Sequence, residues 1–189
     1  TLVFDKKKQT KYRHELKYVC TAAQLALIQG RIHHLIPMDS HVSDKGMYTI
    51  RSLYFDDYYN RCYYENENGT DPREKFRIRI YNGSTEKISL ELKKKERGKT
   101  LKLSCPLTEE QCRTLMRGEI LPDNKDYDPV LQKLLMLMKT TLMRPKIIVE
   151  YDRVPYVYKL GNVRITLDKN ISSSNQIETF LDKEIYKRP

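Results

Sequence analysis

Among the 189 residues there are four cysteines, Cys20, Cys62, Cys105 and Cys112, and no two of them form a CxxC pair. The histidines His14, His33, His34 and His41 add no cluster at zinc-ligand spacing and no mutual spacing that suggests catalysis. These absences exclude a zinc-finger type of site and read the cysteines as reduced, mostly buried thiols of a cytoplasmic protein. No run of about 18 apolar residues exists, and the opening TLVFDKKKQT lacks the apolar segment of a secretory signal. Negative charge is scarce too: 25 Asp and Glu face 35 Lys and Arg, a formal charge of +10. That excess attracts polyanions such as nucleic acid, phosphates or an acidic membrane surface, without choosing among them.

The length suits one domain with a proper core. Residues 12–19 mix polar and apolar types with a period near two and read as a strand. Thr21 then caps a helix carrying Leu25, Ile28, Ile32 and Leu35 at helical spacing, which Pro37 stops. MYTIRSLYFDD (47–57) reads as a strand, followed by a Tyr- and Asn-rich connection. PREKFRIRIY (72–81), EKISLELKKKE and KTLKLSCPL, separated by turns at Asn82-Gly83 and Arg97-Gly98, predict a three-strand meander. A short helix over 108–117 ends at Gly118, and a second runs from Pro129 to Thr141. KIIVEYDR, a link at Val154-Pro155, PYVYKL and VRITLDK read as three more strands, and the residues after Asp168 carry too little periodicity to assign. Seven or eight strands, about three helices and hairpin-length links predict an antiparallel α+β domain, open or closed as a barrel.

Strand alternation sorts the charge. Over 72–81 one face carries Arg73, Lys75, Arg77 and Arg79, and the other Phe76, Ile78 and Ile80. Lys93 and Lys95 share a face with Glu91, Lys102 opposes Leu101 and Leu103, Arg164 opposes Val163 and Ile165, and Arg13, Glu15 and Lys17 lie together. Arg153 shares a face with Ile147, Val149 and Tyr151, at the end of its strand, where it turns either way. Such faces are ordinary wet sheet surfaces, or they are a binding site. Like charges opposite one another repel, so a set this uniform implies an anionic ligand. On an interior face these groups would line a tunnel for an oligophosphate. Glu15 and Glu91, set among the cations, either balance their charge or hold Mg²⁺ or Mn²⁺.

The blocks RHELKY, IRSLYFDD, REKFRIRIY, LELKKK, KTLK, YDR and VRITLD, in this order over about residues 12–170, resemble the VTC (vacuolar transporter chaperone) domain. That family is similar to the CYTH-type triphosphate tunnel metalloenzymes, so the resemblance implies an antiparallel β-barrel with a basic tunnel and about three flanking helices. It implies a metal-dependent polyphosphate polymerase that moves the γ-phosphoryl group of ATP onto inorganic polyphosphate. The phosphate-binding cations it implies are Lys17, Arg77, Arg79, Lys93, Lys102, Arg153 and Arg164, with Lys17, Arg77, Arg79 and Lys93 at the reaction centre and Arg73 and Lys75 beside it. It also implies a C-terminal strand with an acidic metal ligand, which FLDKEIYKRP does not supply. The chain, 1–189, is therefore expected to be a single stand-alone domain of the bacterial type, lacking its last strand or strands.

Three other functions are compatible with the same cations: a metal-dependent triphosphatase, a non-catalytic polyphosphate sensor, and a nucleic-acid-binding module. For the last, stacking tyrosines would be needed, whereas Tyr48, Tyr54, Tyr58, Tyr59, Tyr63 and Tyr64 read as core packing around a strand. Nucleic acid is not the expected partner.

Overall fold

Seven strands are joined by three hairpin turns and three helix-bearing connections, and all their pairings are antiparallel. The computed structural model describes residues 12–39, 42 and 46–189; His41 and the opening residues 1–11 lie outside them. In chain order the elements are β1 (Arg13–His14), α1 (Ala22–His33), β2 (Tyr48–Asp56), α2 (Arg61–Glu67), β3 (Arg73–Tyr81), β4 (Ser84–Glu96) and β5 (Lys99–Leu107). Then come α3 (Glu109–Met116), α4 (Pro129–Thr140), β6 (Arg144–Tyr158), β7 (Val163–Ser174) and one 3-10 turn, Ile177–Thr179. The sheet order is β1-β5-β4-β3-β2-β6-β7, curled into a half-barrel of the tunnel type, with no ladder between β1 and β7 among the described residues.

The turns are chemically determined. Asn82 and Gly83 both have positive φ, 52° and 64°, as do Arg97 and Gly98, 51° and 71°. Two such residues between paired strands match the twist of the hairpin. The Asp71 carboxylate accepts the amides of Arg97 and Gly98 at 3.0 and 3.2 Å, which fixes the second turn. Thr21 with Gln24, and Thr108 with Gln111, form capping boxes that start α1 and α3. Asp128 caps Val130 ahead of α4, with Pro129 in its first turn.

Three expectations are corrected. The strand expected over 12–19 is two residues long, because Arg13 pairs with Thr100 and His14 with Lys99, and beyond Lys99 lies the Arg97-Gly98 turn. Val154-Pro155 is no link but the middle of β6. Proline is tolerated there because β2 ends its pairing at Arg153, and the 37–39 segment that takes over this edge uses the Pro155 carbonyl and the Val157 amide, so no partner needs an N–H from residue 155. The Tyr- and Asn-rich connection contains α2, and Tyr58, Tyr59, Tyr63 and Tyr64 on it are exposed rather than packed in the core. After Asp168 the chain is ordered: β7 continues to Ser174, and Phe180 and Leu181 enter the core.

All the helices cover one face of the sheet. Leu53, Phe76, Ile78, Ile80, Leu90, Leu92 and Ile148 pack there against Cys62 of α2, Cys112 and Leu115 of α3, Leu134 and Met138 of α4, and Phe180. A smaller cluster, Val154, Tyr156 and Leu167, meets Leu25, Ile28 and Ile32 of α1. On that same face buried Arg51 pairs with Glu150 at 2.6 Å and donates to the carbonyls of Phe180, Asp182 and Lys183, holding the chain end against the sheet. The opposite face is left to the cations.

Candidate functional site

Register sets the cations in rows. Lys75 lies opposite Lys93, which lies opposite Lys102; the next row toward the β4–β5 turn is Arg73, Lys95, Thr100 and Arg13. In the other direction come Arg77 with Glu91 and Tyr54, then Arg79 with Ser52, then Ile50 with Tyr151, and last Tyr48 with Arg153 and Asp168. The alternation read from the sequence thus places every strand-borne candidate on one face. Arg153 joins it rather than turning away.

At the centre sits Glu91, 2% exposed. It receives Arg77 at 2.6 Å, Lys102 at 3.0 Å and Arg79 at 3.7 Å. Burial pushes its pKa up, but Arg77, Arg79 and Lys102 outweigh this and hold the carboxyl at about 2. Since the unfolded value lies near 4.5, the stability this network supplies is complete above pH 4.5 and lost as pH falls through about 2. Roughly 3 kcal/mol is at stake. Chemical denaturation of the wild type and Glu91→Gln at a series of acid pH values is expected to show a steeper loss in the wild type; parallel slopes would contradict it.

Three hydroxyl side chains that the sequence reading did not place in the site orient the guanidinium groups. Arg77 donates to the Tyr54 hydroxyl at 3.0 Å and lies over its ring, 5.8 Å from the centroid. Arg79 donates to Ser52 Oγ and to the Tyr151 hydroxyl, each at 3.3 Å, and Arg153 reaches the same Tyr151 hydroxyl at 3.3 Å. Burial alone would raise the Tyr54 pKa; Arg77, Arg79 and Lys17 bring it below the usual phenol value. Tyr151 shares the parity of Arg153 on β6, whereas Tyr54 joins the site only through its register opposite Arg77. Asp56 and Asp57, in contrast, accept backbone amides of the turn into α2 and no cation of this face.

The lysines are less restrained. Lys93 bonds Glu15 at 2.7 Å, yet burial holds its pKa below the ordinary value, and burial does the same to Lys75. Lys17 lies within electrostatic range of Lys75, Lys93 and Tyr54. Arg153 forms a fork on Asp168 at 2.7 and 2.8 Å. Arg164 stands apart, on Asp39 and the Tyr48 hydroxyl at 2.9 and 3.3 Å.

Glu15 and Glu91 do not fit a resident divalent ion in this arrangement. Both oxygens of Glu91 are taken by Arg77 and Lys102, Glu15 is on Lys93, and no three His, Cys, Asp or Glu side chains converge as a metal site among the described residues. Charge balance is the role their geometry supports.

The family model of the VTC domain matches residues 12–188, nearly the whole chain. No curated protein matches it. Among solved structures, a provisionally assigned adenylate cyclase from Bacillus halodurans is similar over 83% of this chain and 70% of its own, with TM-score 0.54 and 12% identity, a likeness of fold. HpAC1 from Hippeastrum, a provisionally assigned adenylyl cyclase with a dominant triphosphatase activity, covers 82% and 69% at TM-score 0.43 and 12% identity. No helix among the described residues is long and apolar enough to cross a membrane.

Proposed function

Since the chain belongs to the VTC-domain family, we propose that it is a polyphosphate polymerase acting on ATP in the cytoplasm. The terminal phosphate oxyanion of an inorganic polyphosphate chain attacks the γ-phosphorus, the bond from that phosphorus to the β,γ-bridging oxygen breaks, and ADP departs with the electron pair. Arg77, Arg79, Lys93 and Lys17 neutralise the three-oxygen charge and hold donor and acceptor in line, which is most of what phosphoryl transfer asks of a protein. The nucleotide enters as its Mg²⁺ or Mn²⁺ complex, the ion riding on its phosphates.

The observation that carries this reading over triphosphate hydrolysis is the state of Glu91. An attacking phosphate is already an anion and needs no base. Attacking water must lose a proton, and Glu91, with one oxygen on Arg77 at 2.6 Å and the other on Lys102 at 3.0 Å, is a poor acceptor for it.

Incubation with ATP and Mg²⁺ or Mn²⁺, followed by gel sizing of products, is expected to give long chains and ADP. Orthophosphate alone would replace the polymerase with a triphosphatase, and tripolyphosphate binding without turnover would leave a sensor. Arg79→Ala is expected to weaken tripolyphosphate binding by about 1.5–3 kcal/mol, the range of a charge-assisted hydrogen bond. The fold should persist, because Glu91 keeps Arg77 and Lys102. Unchanged affinity would remove Arg79 from the site. Arg77→Ala is the less clean test, since it strips Glu91 of its nearest partner.

A further inference from the structure

The cations of the face are not alike from one end to the other. Toward Arg153 each is matched: Arg153 by Asp168, Arg164 by Asp39, and Arg77 and Arg79 by Glu91. Toward the β4–β5 turn only Lys93, on Glu15, and Lys102, on the Glu91 that Arg77 and Arg79 also use, are matched. Arg73 donates only to the Thr70 carbonyl, and among the described residues no carboxylate forms an ion pair with Lys75, Lys95, Arg13 or Lys17. Yet Arg73 and Lys95 are direct cross-strand partners, as are Lys75 and Lys93, an arrangement that repels itself.

Residue type changes along the same direction. At the centre are guanidinium groups fixed by hydroxyls and a carboxylate, suited to one phosphoryl group in one geometry. Around Lys75, Lys93, Lys102 and Lys95 are ammonium groups on flexible stems, point charges that hold an anion without fixing its register. A chain that advances one phosphate per cycle needs the second kind of surface.

We propose that the inorganic polyphosphate chain lies over the end of the face marked by the β4–β5 turn. Its growing end meets the nucleotide at Arg77 and Arg79, and its body runs across the Lys75, Lys93 and Lys102 row and out past Arg73, Lys95 and Arg13. This rests on the polymerase reading and adds to it the direction in which the polymer leaves. Arg13 and Lys95, which the sequence grouped with the cations without giving them a phosphate-binding role, become part of the polymer track. Their row lies four residues along β3 from the Arg77 row, about 14 Å at strand rise. Tripolyphosphate held at the centre does not reach it, whereas a long chain does.

The test is a binding comparison on the whole chain, with tripolyphosphate and long-chain polyphosphate as probes, for the wild type and the double variant Arg13→Gln/Lys95→Gln. The variant is expected to bind long-chain polyphosphate about tenfold more weakly, with a shallower salt dependence, as for any polyanion contact that is lost. Its affinity for tripolyphosphate is expected to stay within about twofold, the size of a purely long-range charge effect. Its melting temperature should not fall, because the change relieves repulsion. Arg31→Gln/Lys125→Gln removes the same charge from exposed positions off the face and should leave both affinities unchanged.

Long-chain affinity kept by Arg13→Gln/Lys95→Gln, an equal loss for both probes, or an equal loss in the off-face pair would each overturn the proposed track. A wild type that binds neither probe would instead remove the polymerase reading beneath it.

Discussion

Glu91→Gln is expected to cost the fold about 3–5 kcal/mol, the usual penalty for removing one partner of a buried ion pair, and tripolyphosphate is expected to return most of it. The carboxylate is the counter-charge for Arg77, Arg79 and Lys102 in a nearly dry setting. Without it these cations repel one another across neighbouring strands. An oligophosphate brings the missing negative charge to the same groups, so its stabilising effect should be larger in the variant than in the wild type. The variant should also bind it more tightly, since a competing anion has gone. Thermal unfolding with and without tripolyphosphate reads both quantities. Equal ligand-induced shifts in the two proteins would mean that the phosphate and Glu91 do not share partners, and that the site lies elsewhere.

Ile78→Asp is expected to abolish cooperative folding. Ile78 is 0% exposed, set among Leu53, Leu90 and the helices, while Arg77 and Arg79 on either side of it face the other way. A carboxyl group there has no cation and no donor within the apolar cluster, and its burial costs several kcal/mol. Against a total stability of about 5–15 kcal/mol this leaves little or nothing. Circular dichroism and a denaturant titration decide the matter. A normally folded Ile78→Asp protein would mean that the two faces of β3 are the reverse of those described, and the cationic face would lose its identity as a site.

The alternation that makes this contrast so sharp is also why much of the site was legible in the sequence. A period of two assigns faces without any knowledge of what covers them, so Arg73, Lys75, Arg77, Arg79, Lys93 and Lys102 could be grouped from their spacing, whereas Arg153, beside Ile147, Val149 and Tyr151, comes only from the family resemblance. The turns were legible because Asn-Gly and Arg-Gly stand between alternating runs. What stayed hidden depends on partners far along the chain. Tyr54 and Tyr151 are ordinary strand tyrosines until β2, β3 and β6 are placed side by side. The opening of α2 has no side-chain cap at Asn60; its free amides are met by Asp56 and Asp57, at the end of the preceding strand. Pro155 reads as a break unless one knows that β2 stops before reaching it. Arg51 would be counted as one more cation, whereas its parity opposes Ser52 and sends it to the buried face, onto Glu150 and the carbonyls of the chain end.

The central claim is that this face is built around an oligophosphate, and titration calorimetry with tripolyphosphate tests it most directly. The expected result is saturable binding that falls with rising salt, weakens in Arg79→Ala and strengthens in Glu91→Gln. No heat of binding, or the same affinity in all three proteins, would reduce the rows of lysine and arginine to a solvated sheet surface and contradict the account.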